Sequence, residues 1–203
     1  MRIGILGGTF NPIHRVHLEI ARAAMKQFRL DRVLFVPAAM PPHKQGKCDI
    51  AQATHRLRMA ELATAGTPEF EVCDIELRRR GPSYSVDTVR ELKERFGPET
   101  EFFFIMGSDQ VLELPTWRDV ESLAGLCALV AVRRAGFELG KLEGVRGRLP
   151  EGVLAKLRGN VLDFAPREVS STEVRRRVRA QESLDEIIPE AVERYIRENK
   201  LYQ

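Results

Sequence analysis

The chain has 203 residues, a length typical of one domain, with the 43% hydrophobic and 30% charged residues of an ordinary globular protein. Its net charge of +3 argues against a dedicated nucleic-acid-binding protein, although it suits a local site for an anionic small molecule. Its three cysteines lack C-x-x-C spacing and no run of 18 apolar residues occurs, so we expect a cytoplasmic protein without a disulfide framework or a membrane partner.

Apolar, β-branched runs alternate with helical patterns along the chain. The predicted strands cover residues 2–6, 33–36, 70–75, 101–106, 128–132 and 161–164. The predicted helices cover residues 17–28, 52–65, 85–95, 119–123, 171–179 and 189–199. Because strands and helices alternate, we predict an α/β fold with a doubly wound, mostly parallel sheet and helices on both faces.

No repeat, low-complexity tract or linker divides the chain. We therefore expect a single domain over residues 1–203, with a C-terminal helical part from about residue 166 packed against it. Residues 37–50 contain three prolines and residues 133–152 contain five glycines, so both stretches are predicted to be loops.

Polar segments follow four of the predicted strands. They are GGTFNPIH after the first, PAAMPPHK after the second, GSD (107–109) after the fourth and APREVSST (165–172) after the last. Ligands of open α/β sheets bind at the carboxyl ends of the strands, so this convergence predicts a site for a polar ligand and favours a nucleotide.

Residues 7–17, GGTFNPIHRVH, are called here the glycine–histidine segment. Gly7 and Gly8 would let the backbone turn sharply and approach a ligand, and the helix N-terminus that follows would attract an anion. Neither common phosphate-binding glycine pattern is present, so a purely structural turn is the alternative. His14 and His17 share one helix face; they fit donation to phosphate oxygens, but also a metal site lacking its third ligand, or an ordinary surface pair.

Two further loops carry candidate residues. PPHK would present His43 and Lys44 from a stiffened loop, although a lone lysine is usually just solvated. In VSSTEVRRRVR (169–179), Ser170 and Glu173 have the spacing of a capping box, which marks a helix start. The hydroxyls and arginines of this stretch suit an anion, and a well-capped basic surface helix is the alternative.

These motifs contain no evident nucleophile with its base and no carboxylate pair. Transfer of a phosphoryl-type group needs little covalent chemistry from the protein, because positioning and charge stabilisation suffice. The motifs are therefore compatible with that reaction class.

The glycine–histidine segment resembles the nucleotidyltransferase signature G-G-T-F-D-P-x-H-x-G-H, and VSSTEVR resembles its I-S-S-T-x-I-R partner. With PPHK, GPSYSVDT (81–88), GSD, LPTWRDV (114–120) and the closing PEAVERYIRENKLY, the chain resembles bacterial nicotinate-nucleotide adenylyltransferases of the HxGH superfamily almost end to end. The resemblance implies adenylyl transfer from ATP to nicotinate mononucleotide, which gives deamido-NAD and pyrophosphate in NAD biosynthesis. It implies in-line attack without a covalent enzyme intermediate.

The resemblance also implies a set of site residues. His14 and His17 would be catalytic, as neutral imidazoles that donate to phosphate oxygens. The residues implied for ATP are Gly7, Gly8, Thr9, Phe10, Gly107, Asp109, Ser170, Ser171, Thr172 and Arg175. Those implied for the mononucleotide are Lys44, Tyr84, Ser85, Thr88 and Trp117, with Trp117 stacking on the pyridine ring. Mg²⁺ would arrive with ATP and need few or no protein ligands.

Two residues depart from the signature. Asn11 replaces an aspartate, a mild change, and Val16 replaces the glycine of the signature's H-x-G-H. If that glycine allows the nucleotide to approach closely, valine narrows the site; we expect a small backbone adjustment and retained activity. The alternatives are a non-catalytic nucleotide-binding or sensing protein, an adenylyltransferase for nicotinamide mononucleotide or phosphopantetheine, and an RNA-binding domain using the basic helix. A homo-oligomer is compatible with the sequence.

Overall fold

A computed structural model describes residues 1–39, 50–79, 81–133, 144–164, 167 and 169–203, apart from the side chain of residue 108. The chain divides into two compact units. The first unit comprises Met1–Gly7, Ile20–Val33 and Tyr84–Pro166; the second comprises Gly8–Glu19, Leu34–Ser83 and Arg167–Gln203. The single domain expected over residues 1–203 and its packed C-terminal part stay predictions.

The described residues form one parallel sheet of six strands. The strands are β1 (Arg2–Gly8), β2 (Arg32–Pro37), β3 (Phe70–Val72), β4 (Glu101–Gly107), β5 (Ala128–Val132) and β6 (Val161–Leu162). Their order in the sheet is β3-β2-β1-β4-β5-β6, and Leu6 of β1 lies opposite Ile105 of β4. The strand order reverses at β1 and β4, where sheets of this kind bind ligands.

Helices flank this sheet, which confirms the predicted α/β fold. They are α1 (Arg15–Phe28), α2 (Ala53–Thr64), α3 (Ile75–Arg78), α4 (Ser85–Phe96), α5 (Ser108–Glu113), α6 (Val120–Leu126), α7 (Glu151–Gly159), α8 (Ser171–Arg179) and α9 (Glu190–Glu198). A 3₁₀ turn, Leu114–Thr116, follows α5. Over the part of the chain that the structure describes, no helix is both long and apolar enough to cross a membrane.

Three stretches differ from the predicted elements: the region after β3, helix α5 and helix α7. The predicted third strand reaches residue 75, but β3 ends at Val72 and Ile75 begins α3, where Arg78 pairs with Asp74 one turn earlier at 2.8 Å. α7 occupies residues for which no helix was predicted, because the glycines at its second and last positions weaken the helical pattern. Its apolar residues nevertheless pack: Leu154 and Leu157 are fully buried.

Aromatic rings anchor the glycine–histidine segment in the core of the second unit. The ring centroid of Phe35 on β2 lies 6.1 Å from that of Phe10 and 5.1 Å from that of Phe70. Phe10 itself is 2% exposed. Rings at these separations attract each other beyond the area they bury, so the segment after β1 is fixed to the sheet.

Candidate active site

The backbone turn after β1 is made by Phe10 and not by the two glycines before it. Gly7 and Gly8 belong to β1, whereas Phe10 has φ 48°, in the left-handed region. A bulky side chain disfavours that region, and such residues persist where the surrounding structure holds them. A Cβ at Gly8 would lie 3.2 Å from the ring of Phe10, so Gly8 leaves room for that ring. The expected sharp turn is thus present two residues later than predicted.

The two histidines of the segment contact each other at the start of α1. The His14 backbone N–H donates to Nδ1 of His17 at 3.1 Å, and their ring centroids are 3.8 Å apart. His17 is the third residue of α1 and His14 precedes the first, so this bond takes the place of the Glu or Gln arm of a capping box. The three-residue spacing of the histidines therefore serves the helix start as well as any ligand.

This hydrogen bond also defines the protonation of His17. A ring nitrogen that accepts a hydrogen bond carries no proton, so the imidazole is neutral and its proton is on Nε2. The ring of Phe10 stands perpendicular to that of His17, with centroids 5.1 Å apart, and limits its rotation. His17 is therefore a neutral donor with a fixed ring, as the resemblance implies.

Side chains from distant parts of the second unit hold the backbone carbonyls of residues 9–12, which we call the 9–12 turn. Arg56 Nη1 donates to the Thr9 carbonyl at 2.7 Å, and Arg175 Nη1 donates to the Asn11 carbonyl at 2.8 Å. The Ser171 hydroxyl donates to the Pro12 carbonyl at 2.9 Å. Because peptide groups are planar, fixing each carbonyl fixes the orientation of its peptide plane.

The side chain of Asn11 forms a second set of contacts with the turn. It is 6% exposed, and its Oδ1 accepts from the Ala51 N–H and from the Tyr202 hydroxyl, both at 2.9 Å. Burial raises the pKa of Tyr202, so its hydroxyl keeps the proton that it donates. An asparagine oxygen accepts both bonds without bringing a negative charge into this buried site. The departure from aspartate at this position is thus accommodated.

Helix α8 supplies two of the side chains that hold the turn, and its start agrees with the prediction. Ser170 Oγ accepts from the Glu173 N–H at 3.1 Å, which confirms the predicted cap. Thr172 Oγ1 lies 3.4 Å from Arg175 Nη2, at the long end of a hydrogen bond. Ser171 and Arg175 are therefore brought to the 9–12 turn, and Thr172 contacts Arg175.

Two of the other arginines of α8, Arg176 and Arg177, are paired with carboxylates. Arg176 binds Glu173 at 2.9 Å and Glu182 at 2.7 Å, and Arg177 binds Glu173 at 2.8 Å. Hydrogen bonds from Arg176, then from Arg177, lower the pKa of Glu173 to about 2. Because of these pairs, α8 has less unpaired positive charge than its sequence indicates. This weakens the alternative that α8 is an RNA-binding helix.

In the first unit, the predicted adenosine residues follow β4. Gly107 ends the strand and its N–H donates to Gln110 Oε1 at 3.0 Å, which caps α5. Asp109 is in the first turn of that helix and is exposed. The predicted loop after β4 is thus the start of a short helix.

The predicted pyridine-binding residues of the first unit lie around the start of α4. The Tyr84 carbonyl accepts from the N–H groups of Asp87 and Thr88, both at 3.1 Å, and from the Thr88 hydroxyl at 3.3 Å. Thr88 is completely buried, and its hydroxyl bond to Tyr84 ties it to the start of α4. Ser85 is the first residue of α4 and is half-buried.

Trp117 and its neighbours form an aromatic and charged cluster in the same unit. The Trp117 ring is half-buried and perpendicular to that of Phe104, with centroids 5.8 Å apart. The Arg118 guanidinium lies over the Tyr84 ring, 4.8 Å from its centroid, in cation–π geometry. Arg118 is also 3.6 Å from Asp87. The structure therefore brings Tyr84, Ser85 and Trp117 into one region.

Sequence reasoning missed Arg56 and Tyr202, because neither belongs to a quoted glycine, histidine or hydroxyl motif. Lys44 and His43 lie outside the described residues, so the prediction for Lys44 stays a prediction. Among the residues that the structure describes, no group of three or more His, Cys, Asp or Glu side chains could hold a metal ion. The side-chain donors at the 9–12 turn are hydroxyl and guanidinium groups, and such groups suit phosphate oxygens.

Comparison with protein families and curated proteins gives a consistent result. A family model described as cytidylyltransferase-like matches residues 5–177. A probable nicotinate-nucleotide adenylyltransferase of Moorella thermoacetica is 44% identical over 202 residues, which cover 100% of this chain and 92% of the relative. A protein of the same description from Geobacter sulfurreducens is 43% identical, with 100% of this chain and 98% of the relative covered.

A solved structure has the same fold. It is the Plasmodium falciparum nicotinic acid mononucleotide adenylyltransferase, in complexes with APC and with NaAD. The TM-score is 0.73 at 20% identity for both complexes, and 99% of this chain is covered, with 96% and 97% of the respective chains. At this identity the likeness extends to the fold alone.

Proposed function

The chain belongs to the cytidylyltransferase-like family, and we propose that within it the protein is a nicotinate-nucleotide adenylyltransferase. It transfers the adenylyl group of ATP to nicotinate mononucleotide, and the products are nicotinate adenine dinucleotide (deamido-NAD) and pyrophosphate. The reaction is a step in NAD biosynthesis. Full-length identity of 44% to a relative of that description supports the assignment.

The geometric observation that carries the proposal is the hydrogen bond from His14 N–H to His17 Nδ1. It gives a neutral imidazole whose Nε2–H can donate to a phosphate oxygen, and it does so at the N-terminus of a 14-residue helix, where the helix dipole also favours an anion. A donor that is held in place before the reaction stabilises developing charge without having to reorganise.

The reaction follows from these donors. A phosphate oxygen of nicotinate mononucleotide attacks the α-phosphorus of ATP in line, forming the new P–O bond as the bond from the α-phosphorus to the bridging β-oxygen breaks. Pyrophosphate leaves with that electron pair. The attacking oxygen is already anionic near neutral pH, so no protein base is needed. The donors' task is to hold both phosphates and to stabilise the charge of the transition state.

For ATP we propose the residues that surround the 9–12 turn and the two segments implied by the resemblance. The triphosphate is assigned to Gly7, Gly8, Thr9, Phe10, Ser170, Ser171, Thr172 and Arg175, and adenosine is assigned to Gly107 and Asp109. The hydrogen bonds of Ser171 and Arg175 to the Pro12 and Asn11 carbonyls support the first group, because they bring α8 to the glycine–histidine segment.

For the mononucleotide we propose stacking of the pyridine ring on Trp117, with Tyr84, Ser85 and Thr88 nearby and Lys44 on the phosphate. Within the described residues, the N–H groups of Ser85 and residue 86 have no helical partner, as expected for the first turn of α4. These donors and the Ser85 hydroxyl suit the carboxylate of nicotinate. The NH₂ of nicotinamide would oppose them, donor against donor, which favours nicotinate.

Mg²⁺ belongs to this proposal as a companion of ATP. When bound, it neutralises part of the triphosphate charge, and its ligands are taken mainly from phosphate oxygens and water, as this hard cation prefers. The proposal therefore assigns it no protein ligand. We also propose that the enzyme acts in the cytoplasm, that it needs neither nucleic acid nor membrane, and that self-association remains compatible with its function.

The non-catalytic alternative was prompted by Val16. That residue is 2% exposed and lies in the first turn of α1, so its methyl groups have almost no surface to present to a nucleotide. Val16 therefore gives no reason to expect that the protein binds a nucleotide without catalysing its reaction.

The test is incubation of the purified protein with ATP, Mg²⁺ and either nicotinate or nicotinamide mononucleotide, with release of pyrophosphate as the readout. We expect dinucleotide from both at different rates, with kcat/KM favouring nicotinate. Equal or better turnover of nicotinamide mononucleotide would refute the proposed preference for nicotinate. Binding of ATP without release of pyrophosphate would support a sensing protein instead. Phosphopantetheine serves as the third substrate, for which we expect no product.

A further inference from the structure

Arg56 is a buried arginine of α2 whose three donor nitrogens all bind backbone carbonyls. Its exposed fraction is 1%. Nη1 donates to the Thr9 carbonyl at 2.7 Å, Nε to the Ala51 carbonyl at 3.0 Å and Nη2 to the Ala39 carbonyl at 3.1 Å. One side chain therefore links the 9–12 turn to the backbone on either side of residues 40–49.

Within the described residues, the contacts of this guanidinium include no carboxylate. Desolvation by burial lowers the pKa of Arg56. A buried cation is costly unless its surroundings compensate it, and carbonyl dipoles do so only in part. Burial of Arg56 therefore costs folding free energy, and it does so at a residue that binds the 9–12 turn.

The bond to Thr9 has a specific consequence for the next residue. In a trans peptide the C=O and the following N–H point in opposite directions, so holding the Thr9 carbonyl towards Arg56 turns the Phe10 N–H away from it. Phe10 is the residue with φ 48°, a conformation that persists only if its surroundings enforce it. Arg56 is the described side chain that binds this peptide plane.

We propose that Arg56 is a positioning residue for adenylyl transfer, which holds the Thr9–Phe10 peptide so that the Phe10 N–H faces a phosphate oxygen of the nucleotide. This inference rests on the proposed function. Arg56 acts through the backbone and does not itself touch the substrate. A planar guanidinium group suits this role, because the single ammonium group of lysine cannot reach three carbonyls that lie in three directions.

The first experiment compares Arg56→Lys with Arg58→Lys in steady-state kinetics and thermal unfolding. Arg58 is the matched control, since it lies two residues away on α2 and is exposed, with a 2.9 Å pair to Glu61. We expect Arg56→Lys to unfold cooperatively and to lose about 100-fold in kcat, the usual effect of a misplaced donor, while Arg58→Lys keeps wild-type kcat. Addition of millimolar guanidinium to Arg56→Ala should restore part of kcat, whereas wild-type activity should not rise.

A folded Arg56→Lys protein with wild-type kcat would overturn the inference, as would an Arg56→Ala protein that guanidinium leaves unchanged. If neither variant folds, the inference is tested on the wild-type protein by ¹⁵N NMR during a titration with ATP. We expect the Phe10 amide and the Arg56 Nε–H resonances to shift with the same midpoint, while that of Arg58 stays in place. A shift of Phe10 without one of Arg56 refutes the coupling. A wild-type protein that forms no dinucleotide would instead refute the proposed function.

Discussion

The glycine–histidine segment and the Trp117 region are held in different ways. In the second unit, the segment depends on part-buried hydrogen bonds that it accepts from Arg56, from the Ala51 N–H and from Tyr202, with rings packed beside them. In the first unit, Trp117 is flanked by exposed ion pairs: Arg90 with Asp119 at 2.8 Å, and Arg118, which is 60% exposed, with Asp87. Buried hydrogen bonds specify one geometry, whereas exposed pairs contribute little and adapt readily.

The proposed chemistry explains this difference. Phosphate positions must be reproduced within a fraction of an ångström for in-line attack, so the residues that hold them are rigid. A stacked ring tolerates sliding, so its surroundings need less definition. Substitutions in the first region should therefore change kcat, and those in the second should change KM.

The largest expected effect comes from His17→Ala. Removing one pre-positioned donor to the transition state should lower kcat by about 10²–10³, with KM for both substrates little changed. The variant also loses the bond to the His14 N–H, so its free energy of unfolding should fall by about 1 kcal/mol. Steady-state kinetics and urea denaturation measure the two effects.

His55→Ala provides the control for this experiment. It removes a half-buried histidine of the same unit that contacts the Tyr195 hydroxyl at 2.9 Å, and it should leave kcat unchanged. A His17→Ala enzyme within threefold of wild-type kcat would contradict the role assigned to His17.

Val16→Gly restores the residue of the family signature and tests whether that position matters for the nucleotide or for packing. Since Val16 is buried in α1, the loss of its side chain and the cost of glycine in a helix should together lower the free energy of unfolding by about 2–3 kcal/mol. Urea denaturation measures this, and kcat should change less than threefold. A clear gain in kcat or a lower KM for ATP would mean that valine does narrow the site.

Trp117→Ala tests the more adaptable region. Loss of a stacked ring should raise KM for nicotinate mononucleotide roughly tenfold and leave KM for ATP unchanged. Trp117→Phe keeps an aromatic face and should recover most of the affinity. A fall in kcat with both KM values intact would place Trp117 among the rigid residues instead.

Glu173→Gln gives the smallest effect and concerns the exposed network of α8. The folded-state pKa of about 2 lies below the ordinary 4.5, so ionised Glu173 stabilises the protein above that ordinary value and the contribution disappears as pH falls towards 2. The urea midpoints of wild type and variant should differ at pH 7 and converge between about pH 4.5 and 2. Glu190→Gln, which removes a single pair with Arg194, should show a smaller difference at pH 7. A difference between the two urea midpoints that persists at pH 2 would show that ionisation of Glu173 is not its cause.

Local signals made much of this structure predictable. The ends of α8 were predictable because Ser170 caps it and its helical pattern is continuous. The histidine pair was predictable from its spacing. The turn at Phe10 was not, since propensity assigns positive φ to glycine and only the rings of the core hold a phenylalanine there.

The features that could not be predicted depend on contacts between residues far apart in the sequence. Arg56 and Thr9 are 47 positions apart, and Tyr202 and Asn11 are 191 apart. No periodicity or spacing rule connects such residues, because the fold alone brings them together. Sequence reasoning identified the groups implied to meet the substrate, and it missed Arg56 and Tyr202, which help to hold them.

The bond between Tyr202 and Asn11 has a consequence for biosynthesis. The ribosome makes Asn11 before its hydroxyl partner, which follows 191 positions later in the chain. A nascent chain can thus form β1 and α1 early, but the 9–12 turn gains this contact only when residue 202 has left the exit tunnel. The 9–12 turn is therefore synthesised long before the residue that completes its hydrogen bonds.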